Sequence, residues 1–329
     1  MKILVNSLTS EEIFHTFYTE RVKEQIARLG DVEYGTYRRD ELKEKLQGVD
    51  VLFSGWGMPV ADDELLEKAD QLKLICYTGG SVADFMREDT VAHGITVCSG
   101  NKLYANSVAE GTIGYILLAQ RRLPKIIDQT KETGWAPQCF TDGIRFKTIG
   151  LIGFGMIVKN LAKMLQAFEC KVKICSDWFT EDLQEEYRAE KCDMEEIFRT
   201  CDIVSLHESL RPDTHHMIDK QYFGMMKQDA LFVNTARGPI IVEQDLADAV
   251  RAGKIRAVLD VYEKEPLPMD SCLRGLDDLI LIPHRGGPTA DIREYVTLAL
   301  CEDAERFFAG KPLEHEIPWD YAKNMTRHK

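Results

Sequence analysis

The sequence predicts an α/β protein built on parallel sheets in two domains, and three observations predict it. Apolar runs of strand length alternate with stretches of helical periodicity along the chain. One strand and helix pair, "TIGLIGFGMIVKNLAKML" (148–165), is joined by two closely spaced glycines. The chain has 329 residues, enough for two domains of about 150 residues each, and two domains leave a cleft, the usual home of an active site.

Taken in order, the strand-like runs are "KILV", "DVLFSG", "LKLICYT", "ITVCS", "TIGLIGF", "CKVKICS", "DIVSLH", "ALFVNTA", "RAVLDVY" and "LILIP". Their near-continuous apolar character is that of strands covered on both faces, which is the environment of a parallel sheet. Helical periodicity falls at 61–69, 106–119, 157–168, 219–227 and 243–252, and again in the last long segment, "ADIREYVTLALCEDAERFFAG". No long Gly/Ser or Pro linker, repeat or low-complexity tract separates the domains, so the boundary is expected in a compact connection. The turn-rich "SGNKLYANS" (99–107) is the best candidate. The segment after it is apolar around much of a helix surface, which suits either a domain or subunit interface or an ordinary buried helix.

Composition excludes several classes. With 54 acidic against 41 basic residues the net charge is -13, which repels nucleic acid and anionic lipid. The opening "MKILVNSLTSEEIF" has too short an apolar run for a signal sequence, and no segment approaches the ~18 apolar residues of a membrane span. A soluble, cytoplasmic protein is therefore expected. The nine cysteines (76, 98, 139, 170, 175, 192, 201, 272, 301) include no C-x-x-C pair and are read as reduced core residues.

A dinucleotide site needs a strand, a tight glycine turn and a helix whose first N–H groups meet the pyrophosphate. Here Gly153 can make the turn, and Gly155, lacking Cβ, lets a diphosphate approach the backbone. Met156 and Ile157 would supply the N–H groups. Val158 stands where a third glycine usually serves helix-to-strand packing, which should move the helix without abolishing the site. The next strand ends at Asp177, 24 residues after Gly153, where an acidic side chain can accept from the adenosine ribose. Trp178 and Phe179 follow it, with no arginine near in sequence, so NAD(H) is favoured over NADP(H). The same turn would also suit S-adenosylmethionine, so the chemistry must decide.

Three later segments carry that chemistry: "LFVNTARGPIIVEQDLADAV", "AVLDVYEKEPLP" and "LILIPHRGGPT". They place an arginine, acidic residues and a histidine at strand ends, which border the ligand crevice of an open α/β sheet. With "NSVAE", "GFGMIVK", "NTARG", "LDVYEKEPLP" and "PHRGG" in order along nearly its whole length, the chain resembles the NAD-dependent D-2-hydroxyacid dehydrogenase family. The resemblance implies a Rossmann-type doubly wound cofactor domain over about 101–288. It implies a discontinuous, flavodoxin-like α/β substrate domain from 1–100 and 289–329. It makes Arg237 the substrate clamp, Glu265 the histidine's partner and His284 the acid/base. Glu263 rivals Glu265, but Glu265 precedes Pro266 as the family's glutamate does.

By the same resemblance Asp260 meets the nicotinamide carboxamide, and His207, Thr235, Ala236 and Gly286 line the cofactor. Gly80, Ser81 and Val82 offer N–H groups to the substrate carboxylate, and Trp56 could line the substrate pocket or simply pack there. The expected reaction moves hydride between NAD(H) and C2 of a small 2-hydroxy or 2-oxo acid. Arg237 would polarise the carbonyl and His284, supported by Glu265, would give or take the proton. A catalytically weak nicotinamide-dependent sensor of the same fold is the alternative, and a methyltransferase is disfavoured by the Arg/Glu/His set. Three departures from the family pattern stand out: Val158, Ser209 in "LHESL", and the loop "TGGSVADF", which bears on substrate identity. The glutamate at 265 argues against formate as substrate.

No metal is expected. His207, His215 and His216 are the only clustered histidines, adjacent histidines seldom ligate one ion, and no carboxylate lies beside them at a metal-site spacing. The family resemblance also implies a homodimer through the cofactor domains, using the helix from about 106 to 122 and a turn-rich stretch after it that contains Trp135. With the sequence running to 329, the regulatory extension of some phosphoglycerate dehydrogenases is not expected.

Overall fold

The computed structural model describes residues 1–135 and 140–326. The chain divides into two compact units, one of residues 1–104 with 288–329 and one of residues 105–287.

The first unit carries a five-stranded parallel sheet of β1 (Lys2–Asn6), β2 (Asp31–Gly35), β3 (Val51–Ser54), β4 (Leu74–Tyr77) and β5 (Thr96–Ser99) in the order β2-β1-β3-β4-β5. This is the flavodoxin-like order. Side chains alternate between two cores, so Leu4 packs with Leu52 and Ile75 on one face while Ile3 and Val5 pack with Phe53 and Val296 on the other. The helices that cover these faces start at side-chain caps: Ser10 accepts from the N–H of Ile13, Thr19 from Val22 and Asp62 from Leu65. The long helix Ala290–Phe308 packs on this sheet through Val296, Leu300, Cys301 and Ala304.

The second unit carries seven parallel strands: β6 (Thr148–Ile152), β7 (Lys171–Cys175), β8 (Ala189–Lys191), β9 (Ile203–Leu206), β10 (Ala230–Asn234), β11 (Ile255–Leu259) and β12 (Leu279–Leu281). Their order, β12-β11-β10-β9-β6-β7-β8, reverses at β6 and β9, which is the doubly wound arrangement with its ligand crevice at the switch point. All five residues of β10 and of β11 are buried. Phe232 faces a core with Ile240 and Leu246, whereas Leu231 and Val233 face another with Leu161 and Leu165. Each such side chain contributes about 1.5–3 kcal/mol on leaving water.

All ten expected strands form, and two more appear at sheet edges, β2 and β8. The division between the units falls within 99–107, and only the local structure of that segment differs from expectation. It is not a turn-rich connection: the helix Asn101–Gln120 begins there, and the division between units falls inside that helix. Likewise the stretch after 122 is helical, Leu123–Thr133, with Pro124 in its first turn where no N–H is needed. Among the described residues no helix is long and apolar enough to cross a membrane. Eight cysteines are free thiols, four of them only half-buried, and Cys139 lies outside the described residues, as do 327–329.

Candidate active site

The glycine turn after β6 separates two jobs. Gly153 adopts φ +101, and a Cβ on it would sit 2.9 Å from the carbonyl oxygen of His207. Only glycine fits there, for reasons internal to the fold. Gly155 has an ordinary φ of -83, and a Cβ on it would meet nothing within 4 Å. Its missing side chain therefore leaves open space instead of relieving a clash. Gly155 caps the helix Met156–Leu165 without a side-chain hydrogen bond, so the N–H groups of Met156 and Ile157 lack intrahelical partners beside that space. Such a terminus suits a diphosphate. Val158 is fully buried in the core with Leu151, Leu161 and Val172, so the place of the third glycine is filled by packing.

Asp177 is exposed just past the end of β7, and lines a cavity with Ile152, Met194, Glu208 and Arg211. Sequence proximity offered no guanidinium, but the fold brings Arg211 to this cavity. Its charge is already met, with Glu208 at 2.8 Å and Asp213 at 3.2 Å. His207, at the end of β9, shares its ring nitrogens with Ser205 Oγ (2.9 Å) and Thr235 Oγ1 (3.5 Å). Burial pushes its pKa down to about 3, so the ring is neutral at physiological pH. Thr235 also meets Thr112 Oγ1 at 3.2 Å, and the N–H of Ala236 donates to Asn234 Oδ1 at 2.9 Å.

At the ends of β11 and β12 the structure brings Glu265 and His284 together. His284 Nδ1 lies 2.7 Å from Glu265 Oε2, while the other carboxylate oxygen accepts the N–H of Tyr262 at 3.1 Å. A carboxylate acceptor fixes the proton on Nδ1 and leaves Nε2 unprotonated in the neutral ring, with no partner among the described residues. Burial pulls the Glu265 carboxyl upward. The hydrogen bonds from His284 and Tyr262 and the charges of His284 and Arg237 outweigh it and hold it below the usual range. Arg237 follows β10 and donates from Nη1 to the carbonyl of Ala236 at 2.6 Å. Glu263, the rival, points elsewhere, to His216 at 3.3 Å.

His284 itself sits at φ +52, a conformation that costs a non-glycine residue about 1–2 kcal/mol. Asp260 supports it. The buried Asp260 carboxylate accepts the next two N–H groups, from Arg285 at 2.6 Å and Gly286 at 2.7 Å, and the hydroxyl of Tyr115 at 3.5 Å. A Cβ on Gly286 would come within 2.7 Å of that carboxylate. Tyr262 works from the opposite side: its hydroxyl donates to the carbonyl of Ile282 at 2.8 Å.

In the first unit, the loop after β4 leaves three consecutive N–H groups, those of Gly80, Ser81 and Val82, without acceptors among the described residues. Ser99 Oγ holds the carbonyl of Gly80 (3.0 Å), Ser81 Oγ donates to the carbonyl of Thr326 (2.8 Å), and Val82 is buried. A run of free amides on an anchored loop suits a carboxylate. Trp56, 38% exposed, follows β3 and packs edge-on against Phe17 and Tyr104 under the guanidinium of Arg293.

The sequence profile of the D-isomer specific 2-hydroxyacid dehydrogenase NAD binding domain matches residues 113–286. A protein of Staphylococcus saprophyticus named as a 2-hydroxyacid dehydrogenase is 32% identical over 274 residues, covering 82% of this chain and 86% of its own. The chain belongs to this dehydrogenase family. Among its relatives, D-3-phosphoglycerate dehydrogenase of Methanocaldococcus jannaschii is 33% identical over 89% of this chain, which spans only 56% of that protein's length. The solved structure of an acyclic imino acid reductase with NADPH and D-Arg superposes with a TM-score of 0.79 at 25% identity, over 97% of this chain and 100% of that one.

As a member of this family the chain holds a nicotinamide cofactor domain, and the open space at Gly155 beside free helix N–H groups fits the dinucleotide. Tyr262, Tyr115 and Arg211 were not singled out in the sequence. Tyr262 and Tyr115 look like ordinary packing aromatics in sequence, and only the strand-end geometry shows what their hydroxyls hold. Arg211 was hidden because its cavity is assembled from separate strand ends.

Proposed function

We propose that the protein is an NAD(H)-dependent oxidoreductase acting at C2 of a small D-2-hydroxy acid or its 2-oxo counterpart, with Arg237, Glu265 and His284 as its catalytic residues. The observation that carries this reading is the 2.7 Å pair of Glu265 and His284, whose carboxylate also feels the charge of Arg237. When bound, the nicotinamide supplies or accepts the hydride. Arg237 binds the substrate carboxylate and polarises the carbonyl with a planar, permanently charged fork. The imidazolium form of His284, stabilised by ionised Glu265, gives the proton from Nε2 to the developing alkoxide, and oxidation runs the transfer in reverse. Asp260, whose oxygens already hold Arg285 and Gly286, fixes the backbone that presents His284.

Gly153, Gly155, Met156 and Ile157 would take the pyrophosphate, Asp177 the adenosine ribose, Asp260 the nicotinamide carboxamide, and His207, Thr235, Ala236 and Gly286 the rest of the cofactor. Asp177 and the neutralised Arg211 support NAD(H) over NADP(H). The free amides of Gly80, Ser81 and Val82 would receive the substrate carboxylate, with Trp56 near its side group. A homodimer through the cofactor unit is supported by the exposed Leu123 and Ile127 of the helix Leu123–Thr133 and by Trp135, and light scattering tests it.

The deciding experiment measures kcat/KM for glyoxylate, hydroxypyruvate, pyruvate, phenylpyruvate and branched 2-oxo acids with NADH and with NADPH. Turnover of at least one acid with a preference for NADH is expected. Tight NADH binding without turnover of any acid would replace the enzyme with a nicotinamide sensor.

A further inference from the structure

On the surface of the cofactor unit, partly on the same loop that bears Glu265, the chain gathers two histidines and a carboxylate whose ligand atoms lie close together. His216 occupies φ +53, where a non-glycine residue is uncommon, and this backbone turn lays its ring beside that of His215, with centroids 3.9 Å apart. His216 Nε2 then lies 3.3 Å from Glu263 Oε1. The ligand atoms of His215, His216 and Glu263 all fall within 4.8 Å of one another, and all three residues are exposed. The carboxylate that sequence spacing did not supply is delivered by the fold from the loop after β11.

Bonds of about 2.0–2.2 Å in a tetrahedral site put ligand atoms roughly 3.3 Å apart. The His216 to Glu263 separation already has that value, and solvent-exposed rings can rotate to close the remainder. The scaffold beneath is fixed on both sides. The N–H of His216 donates to the carbonyl of Pro239 at 2.8 Å, and the N–H of Glu263 donates to Glu243 Oε1 at 2.7 Å. Two imidazoles with one carboxylate form a set suited to Zn²⁺ and poorly suited to Mg²⁺ or Ca²⁺, which prefer oxygen.

We propose that His215, His216 and Glu263 bind one Zn²⁺-class divalent cation per chain, joining the turn at 214–217 to the loop that bears Glu265. Water completes the coordination. Because Pro239 and Glu263 flank the segments carrying Arg237 and Glu265, the ion acts as a clip across the back of the catalytic loops. The site does not depend on which substrate the enzyme takes.

The test is calorimetric titration of tag-free protein with zinc sulfate in a non-chelating buffer, with thermal melting alongside. Expected are one ion per chain, a melting temperature that rises saturably with zinc, and no competition from millimolar Mg²⁺. His215→Ala, His216→Ala and Glu263→Gln should each weaken binding at least about tenfold while melting like the parent without zinc. His284→Ala should keep the site. Affinity only in the millimolar range, unchanged affinity in all three variants, or loss of binding in His284→Ala would overturn the assignment.

Discussion

Two glycines lie one residue apart in the turn after β6, and opposite outcomes are expected when each becomes alanine. At Gly155 the backbone suits alanine, with φ -83, and the new methyl would touch nothing within 4 Å. The less flexible unfolded chain stabilises the variant by about 0.4–1 kcal/mol, and the poorer helix cap offsets this by a comparable amount. The net change is within about 0.5 kcal/mol, or roughly 2 °C in melting temperature for units of this size. The methyl fills the open space proposed for the diphosphate, so the Kd for NADH should rise at least tenfold, about 1.4 kcal/mol. At Gly153 the alanine would carry φ +101 and a Cβ 2.9 Å from the His207 carbonyl oxygen. Stability should then fall by about 1–3 kcal/mol. Differential scanning fluorimetry and NADH fluorescence titration read both quantities. A Gly155→Ala protein that melts normally and binds NADH as the parent does would refute the placement of the diphosphate at this turn.

Arg237→Ala and His284→Ala should each lower kcat for 2-oxo acid reduction by about 10²–10⁴-fold with NADH affinity retained; full activity in either removes that residue from the chemistry. Glu265→Gln should fall between these variants and the parent at neutral pH. The parent's Glu265 carboxyl is held below the ordinary range, so its pairing is present above that range and lost only as pH falls through the depressed value. His207 gives a separate acid signature. Its folded pKa of about 3 lies below the usual ~6.5. Unfolding therefore takes up a proton in that window, and stability falls as pH drops by up to about 1.4 kcal/mol per pH unit. Urea melts of His207→Gln at pH 5 and pH 7 should show a shallower dependence than the parent, and an unchanged one would mean the ring is solvated. Arg256 is buried against the carbonyl of Ala119, the side chain of Gln120 and Asp229. Arg256→Ala should cost about 3 kcal/mol in denaturant unfolding, with a cost under ~1 kcal/mol marking it as a surface pair.

The fold was legible where physics writes it into every residue of a segment. Strands β10 and β11 are covered on both faces and read as unbroken apolar runs. Strands β2 and β8 lie at sheet edges, so "DVEYG" and "AEK" keep polar residues and give no such run. The residues "NKLYANS" have turn-forming composition, yet they are helical because Leu103 and Tyr104 pack against the core of the first unit. Glu265 and His284, the pair proposed for proton transfer, were singled out from family motifs, and the structure brings them within hydrogen-bond distance. Their supports were not, since the hydroxyl of Tyr262 finds its acceptor 20 residues later and Asp260 finds its donors 25 and 26 residues later. Glu263 escaped as a neighbour of His216 for the same reason, being 47 residues distant along the chain.

Tyr262 touches both halves of the pair proposed for proton transfer, its amide on Glu265 and its hydroxyl on the carbonyl of Ile282, two residues before His284. Fraying of β12 from the sheet would therefore separate His284 from Glu265 in the same event. In this molecule loss of activity on heating should track detachment of one edge strand, and inactivation should run ahead of global melting. Hydrogen exchange at Leu281 and Ile282, followed beside residual turnover, would place the two on a single curve.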